Sequence, residues 1–124
     1  MARVVVIVDD TDSVASSLAL AFEKIPDVKP VVTHNPMAAL RLFTAPDSQI
    51  AAIVTDLNLP HLNGFELIHR IRSLEKYHDL PAIMITADER AARTVQSKEQ
   101  TPNAIFKKPC SLKEVCRVLE ELLQ

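Results

Sequence analysis

Five short apolar runs, most of them β-branched and nearly unbroken, punctuate this chain, and a helical period follows each one. The runs are Val4–Val8, Val31–Thr33, Ile50–Thr55, Ala82–Thr86 and Ala104–Phe106. A strand that reads as a continuous apolar run is one covered on both faces, as in a parallel sheet. Between the runs, apolar residues recur at helical spacing. Val14, Leu18, Ala21, Phe22 and Ile25 form one stripe, with Thr11 or Asp12 available as its N-cap. Asn35-Pro36 opens a second helix that turns Met37, Leu40 and Phe43 inward. Leu67, Ile68, Ile71 and Leu74 mark a third, after Asn63-Gly64. A fourth, near Asp88 to Lys98, offers only Ala91, Ala92 and Val95 as apolar contacts, which predicts a loosely held element. Ser111-Leu112-Lys113-Glu114 reads as a capping box opening a fifth, with Leu112, Val115, Cys116, Leu119, Leu122 and Leu123 at helical spacing.

Five βα units without linker, repeat or low-complexity segment predict one α/β domain over residues 1–124. The expected architecture is a doubly wound, five-stranded parallel sheet of (βα)5, flavodoxin-like type, with helices on both faces and strand order 2-1-3-4-5. No output domain is expected within this sequence.

Composition removes several function classes. The chain has a single glycine, so neither a Walker-type nor a dinucleotide-binding loop can be built, and any phosphate chemistry must rest on side chains and a metal. A formal net charge of −2 gives no field for holding a nucleic-acid backbone. No apolar run approaches the roughly 20 residues that span a bilayer. The apolar stretch after Met1-Ala2-Arg3 is too short for a signal peptide and runs into two aspartates, so a cytoplasmic protein is expected. Cys110 and Cys116, six apart in what reads as one helix, are too separated for a disulfide and are expected as reduced thiols, Cys116 in the core.

In parallel sheets of this order, ligands bind beyond the carboxyl ends of the strands. Asp9 and Asp10 follow the first run, Thr55-Asp56 ends the third, Thr86 the fourth, and Lys107-Lys108-Pro109 the fifth. Only the second lacks an obvious catalytic group. Three carboxylates from adjacent strands repel one another and raise each other's pKa unless something offsets them. A hard divalent cation does so, and Mg²⁺ takes carboxylates, waters and phosphate oxygens. Lys108 would add a fixed positive charge, leaving one carboxylate free as a nucleophile.

Asp9/Asp10, Asp56, Thr86 and Lys108-Pro109, in this order and at these strand ends, resemble the receiver domain of two-component response regulators, the CheY-like superfamily. The stretch Val54-Thr55-Asp56-Leu57-Asn58-Leu59-Pro60-His61-Leu62-Asn63-Gly64 looks like that family's phosphoacceptor strand and loop, and the resemblance covers essentially the whole chain. It implies that Asp56 takes a phosphoryl group from a phosphohistidine. Mg²⁺ (or Mn²⁺) would be held by Asp10, Asp56 and the main-chain carbonyl of Asn58, with Asp9 on a metal-bound water. Thr86 and Lys108 would bind the phosphoryl oxygens, the Lys108-Pro109 bond being cis. Asn58 and Asp88 would tune hydrolysis. Implied partners are a sensor histidine kinase or histidine phosphotransfer protein, and downstream an effector protein or output domain. The domain would be a switch rather than an enzyme, a monomer or weak dimer, with its responsive surface on the fourth helix, last strand and last helix. Two positions depart from the family pattern. Ile105 stands where an aromatic switch residue is usual, and Pro102-Asn103 replaces a glycine, Asn103 being expected to take the left-handed turn.

Simpler roles remain for some of these residues. Asp12 and Thr86 could cap helices, Lys107 reads as a surface charge, and His34, His61, His69 and His78 lack metal-ligand spacing and read as surface residues. Two rival functions differ in class. Val6-Ile7-Val8-Asp9-Asp10-Thr11-Asp12-Ser13 partly matches the opening of haloacid-dehalogenase-type phosphatases, a reading that would place the phosphoryl label on Asp10 and requires a second acidic pair and a cap domain. The other rival is a receiver-like interaction module that works without phosphorylation, for which Ile105 is the motive.

Overall fold

A computed structural model describes residues 2–90 and 100–124, apart from the side chain of Asp12. The strands are β1 (Arg3–Val8), β2 (Val28–Thr33), β3 (Ile50–Thr55), β4 (Ala82–Thr86) and β5 (Ala104–Lys107). The described helices are α1 (Asp12–Glu23), α2 (Pro36–Thr44), α3 (Gly64–Arg72) and α4 (Leu112–Leu122), with a short 3-10 turn at Glu75–Tyr77. Residues 91–98 of the expected fourth helix lie outside the described residues.

All strand pairs are parallel, in the order β2-β1-β3-β4-β5. Strand periodicity sorts side chains between two cores. Val6, Val8, Ile53, Ala82 and Met84 face Ala39 and Phe43 of α2 and Phe65, Leu67, Ile68 and Ile71 of α3. Val5, Ile7, Ala52, Val54, Ile83 and Ile85 face Ala15, Leu18 and Phe22 of α1 and Val115 and Leu119 of α4. Helices thus cover both faces, and β1, β3 and β4 are the buried, nearly continuous runs.

β2 begins three residues before the apolar run that suggested it. Exposed Lys29 and the following Pro30 hide its start, yet as an edge strand bonded only to β1 it tolerates a proline, and Pro30 sits opposite Val5. Met37, expected inward, is 39% exposed. Positions 36, 39, 40 and 43 complete the inner stripe of α2 and leave position 37 about 100° away.

Caps differ from the sequence reading in instructive ways. Thr11 occupies the N-cap of α1 without a side-chain cap bond, and Asp12 is the first helical residue. Ser111 Oγ accepts from Glu114 N at 3.3 Å, but Glu114 Oε1 accepts from the Arg117 guanidinium, so only half of the expected capping box forms. The reciprocal box is at Asn63 and Glu66, where each side chain accepts from the other's backbone N–H. Cys110 lies in the loop before the Ser111 cap, outside α4; both cysteines are free and half-buried.

A chain with one glycine must find other residues for left-handed turns. Among the described residues these are Asp27 (φ 64°) and His61 (φ 72°), types that tolerate that region. Asn103 is not one of them. It replaces a glycine by bonding instead: its Oδ1 accepts from Ala82 N at 2.9 Å and Arg72 Nη2 at 3.0 Å, and its N–H donates to Ala82 O at 2.7 Å.

Arg72 completes this clamp. Its guanidinium donates to Leu80 O at 3.1 and 2.9 Å and to Thr101 O, so the end of α3 is bonded to the entries of β4 and β5. Charge-assisted bonds to a shielded carbonyl, as at Leu80 O, are worth more than neutral surface ones. Arg72→Ala is therefore expected to lower the unfolding free energy by about 2 kcal/mol in urea titrations. A loss below about 0.5 kcal/mol, the usual range for surface changes, would remove the clamp from the account of β5.

Candidate functional site

The carboxyl edge of the sheet gathers the residues that the strand ends suggested. Val8 pairs with Thr55 across β1 and β3, and Asp56 N donates to Val8 O at 3.0 Å, so Asp9 and Asp56 emerge side by side. Both are buried, at 2% and 8% exposure. Two buried carboxylates this close need a counter-charge, and Lys108 supplies it. Its Nζ donates to Asp9 Oδ2 at 3.0 Å and to Asp56 Oδ2 at 2.9 Å. The lysine is delivered by β5: Lys107 pairs with Thr86, Lys108 N donates to Thr86 O at 2.9 Å, and the Lys108-Pro109 bond is cis. Burial pulls the Lys108 pKa down, but the bonds to Asp56 and Asp9 outweigh it and leave the ammonium above its ordinary value.

The other carboxylate oxygens are also engaged. Asp9 Oδ1 accepts from Thr11 N at 2.8 Å and Asp56 Oδ1 from Asn58 N at 3.3 Å. Asp10 is exposed at the rim, and Asp9, Asp10 and Asp56 each offer one oxygen, all three lying within 4.8 Å of one another. Three carboxylate oxygens that close are the donor set a hard dication takes.

Thr86 is buried, and its Oγ1 accepts from Asp88 N at 3.1 Å, closing the turn after β4. Asp88 Oδ1 accepts in turn from Arg90 N at 2.9 Å; that bond and the Arg90 guanidinium hold the Asp88 carboxyl below its usual pKa. Lys107 is exposed and pairs with Glu89. Ile105 is half-buried on the α2/α3 side, whereas Phe106 packs on the α1/α4 side. Asn58 and Pro109 are exposed. Burial pushes the Cys110 and Cys116 thiols up, which keeps both protonated at neutral pH although Cys110 is two residues from Lys108.

Two residues at this edge carried no catalytic signal in the sequence. His34 follows β2, and its Nδ1 lies 2.9 Å from the carbonyl oxygen of Asp9. Its place after the one strand end without a candidate was the only available signal. Gly64, the sole glycine, packs so tightly that a Cβ there would lie 2.5 Å from Asp56 O and 2.9 Å from Met84 Cε.

Known proteins bear on this arrangement. A sequence model described as the response regulator receiver domain matches residues 5–120. A chemotaxis protein CheY homolog of Campylobacter jejuni is 30% identical over 77 residues, which are 62% of this chain and 59% of that protein. The match thus spans about three-fifths of that relative's length. An uncharacterised 14.6 kDa protein of Leptolyngbya boryana is 30% identical over 117 residues, 94% of this chain and 87% of its own. A putative response regulator from Chloroflexus aurantiacus superposes with a TM-score of 0.85 at 24% identity, covering 99% of this chain and 98% of that one, a likeness of fold. No helix among the described residues is long and apolar enough to cross a membrane. With the family match running from inside β1 almost to the end of α4, this chain belongs to the response regulator receiver domain family of two-component signalling.

Proposed function

We propose that the chain is a phosphoacceptor switch in which Asp56 takes a phosphoryl group from a phosphohistidine of a sensor kinase or phosphotransfer protein. The observation that carries this reading is the Lys108 ammonium shared between the buried Asp9 and Asp56 carboxylates, beside the rim carboxylate of Asp10. Asp9, Asp10, Asp56 and the main-chain carbonyl of Asn58 would hold Mg²⁺ or Mn²⁺. When bound, such an ion neutralises charge on the oxygens of the transferring group.

The chain's own residues do the rest. A carboxylate oxygen of Asp56 forms a bond to phosphorus while the phosphorus–nitrogen bond of the donor breaks, its electron pair returning to the imidazole. The product is an acyl phosphate on Asp56. Lys108 pairs with one phosphoryl oxygen and the Thr86 hydroxyl donates to another. Water later cleaves the acyl phosphate, with Asn58 and Asp88 beside the site to set the rate. The added charge and acceptor oxygens draw the Thr86 hydroxyl inward, engage Lys108 and so bias β5 and α4, the surface offered to an effector or output domain. The protein acts as a cytoplasmic monomer or weak dimer, without direct nucleic-acid contact.

The test is incubation with a small acyl phosphate and Mg²⁺, followed by intact mass measurement. One phosphoryl adduct is expected, absent from Asp56→Asn and from samples in chelator. An adduct that survives in Asp56→Asn, or forms equally well in chelator, overturns the reading. Ile105 favours one second reading, since it cannot repeat an aromatic ring flip: an interaction module that ignores phosphorylation. Effector binding unchanged by Asp56→Asn would select it.

A further inference from the structure

His34 follows β2, the edge strand whose end offered no reactive group in the sequence. A carbonyl oxygen only accepts hydrogen bonds, so at 2.9 Å from Asp9 O the Nδ1 of His34 is the donor and carries the proton. Thr33, its neighbour, accepts from Asp9 N at 3.2 Å. Two consecutive residues at the end of β2 therefore hold both backbone polar groups of Asp9.

A peptide unit is rigid and planar, so fixing the Asp9 carbonyl also fixes the N and Cα of Asp10. This matters for Asp10 more than for its neighbours. Asp9 and Asp56 are buried and anchored through their carboxylates by Lys108, whereas Asp10 stands exposed at the rim. Its position relative to the other two carboxylates is set by the backbone that carries it. A surface role alone would not require the Nδ1 of exposed His34 to meet this carbonyl.

We propose that His34 is a positioning residue for the acidic cluster: its Nδ1–H orients the Asp9–Asp10 peptide so that the Asp10 carboxylate faces those of Asp9 and Asp56 for cation binding. This rests on the proposed function, because it takes the cluster to be a divalent-cation site.

The experiment is titration of the intact chain with Mg²⁺, following the backbone amide resonances of Asp9, Asp10 and Asp56, for wild type, His34→Ala, His34→Asn and His34→Gln. Thermal melts of the metal-free proteins run alongside. The asparagine amide nitrogen sits where Nδ1 does, while that of glutamine reaches further out. His34→Ala and His34→Gln are expected to bind Mg²⁺ roughly tenfold more weakly, with the metal-free Asp10 amide resonance shifted and melting little changed. His34→Asn is expected to restore both affinity and resonance. Should His34→Ala fail to fold, the contrast between Asn and Gln carries the test. Equal affinities in wild type and all three variants, or equal weakening in Asn and Gln, overturn the positioning role alone. A wild-type chain that takes no Mg²⁺ overturns the proposed function, and this inference with it.

Discussion

Lys108→Ala is expected to slow phosphoryl uptake at Asp56 by about 100- to 1000-fold, the range for losing one preorganised charge donor, while tightening Mg²⁺ binding. The two effects have one cause. The ammonium lies 2.9–3.0 Å from both buried carboxylates, which are two of the three that would hold a dication. Removing it deletes the group that would pair with the phosphoryl oxygens, and it also removes a like charge that competes with the metal. The metal-free variant is expected to melt lower, because Asp9 and Asp56 then face each other uncompensated, and Mg²⁺ should raise its melting temperature more than that of wild type. The pH dependence follows from the sign of the shift. With the folded pKa of Lys108 raised, the stabilisation from this pair is complete below the unfolded lysine value, near 10.4, and is lost only as pH rises through the folded one. The contrast between wild type and variant should thus be flat across neutral pH. Uptake at the wild-type rate, measured with a small acyl phosphate, would remove Lys108 from the mechanism.

Gly64→Ala should destabilise the fold by about 2 kcal/mol, with a fall in Tm of roughly 5–10 °C, and perturb Asp56 at the same time. Alanine normally favours a helix over glycine, and Gly64 is the first residue of α3, so propensity alone points the other way. Contact decides it. The added Cβ would lie 2.5 Å from Asp56 O and 3.1 Å from Leu57 Cα, which are backbone atoms unable to step aside as a flexible side chain can. Gly64 N also donates to Leu57 O at 2.8 Å, so moving α3 away breaks a bond that holds the loop. The expected readouts are a lower melting temperature and a shifted Asp56 amide resonance. A variant as stable as wild type with an unchanged resonance would show that α3 yields without strain.

Several parts of this protein could be read directly from its residues. β1, β3 and β4 read within one residue because they are covered on both faces, which demands continuous apolar runs whatever the partners are. The parallel order followed from the alternation of such runs with helical stripes. That the candidate residues would meet was legible for a related reason. Parallel strands bring all their carboxyl ends to one edge, so Asp9, Asp10, Asp56, Thr86 and Lys108 share a neighbourhood once the topology is known.

Other features answered only to the third dimension. The start of β2 at Val28 depends on its place at the sheet edge, where Pro30 does no harm. That Asp9 is the buried partner of Lys108 and Asp10 the exposed rim carboxylate depends on which way β1 enters α1, although the two are adjacent and chemically identical. Asn103, chosen as a residue able to turn left-handed, instead satisfies Ala82 and Arg72 from other elements. His34 met Asp9, and Gly64 met Asp56, across gaps of 25 and 8 positions. Periodicity reports which face of an element is buried, because burial acts on each residue separately. Pairings between residues far apart in the chain depend on how whole elements pack, and no local pattern encodes them.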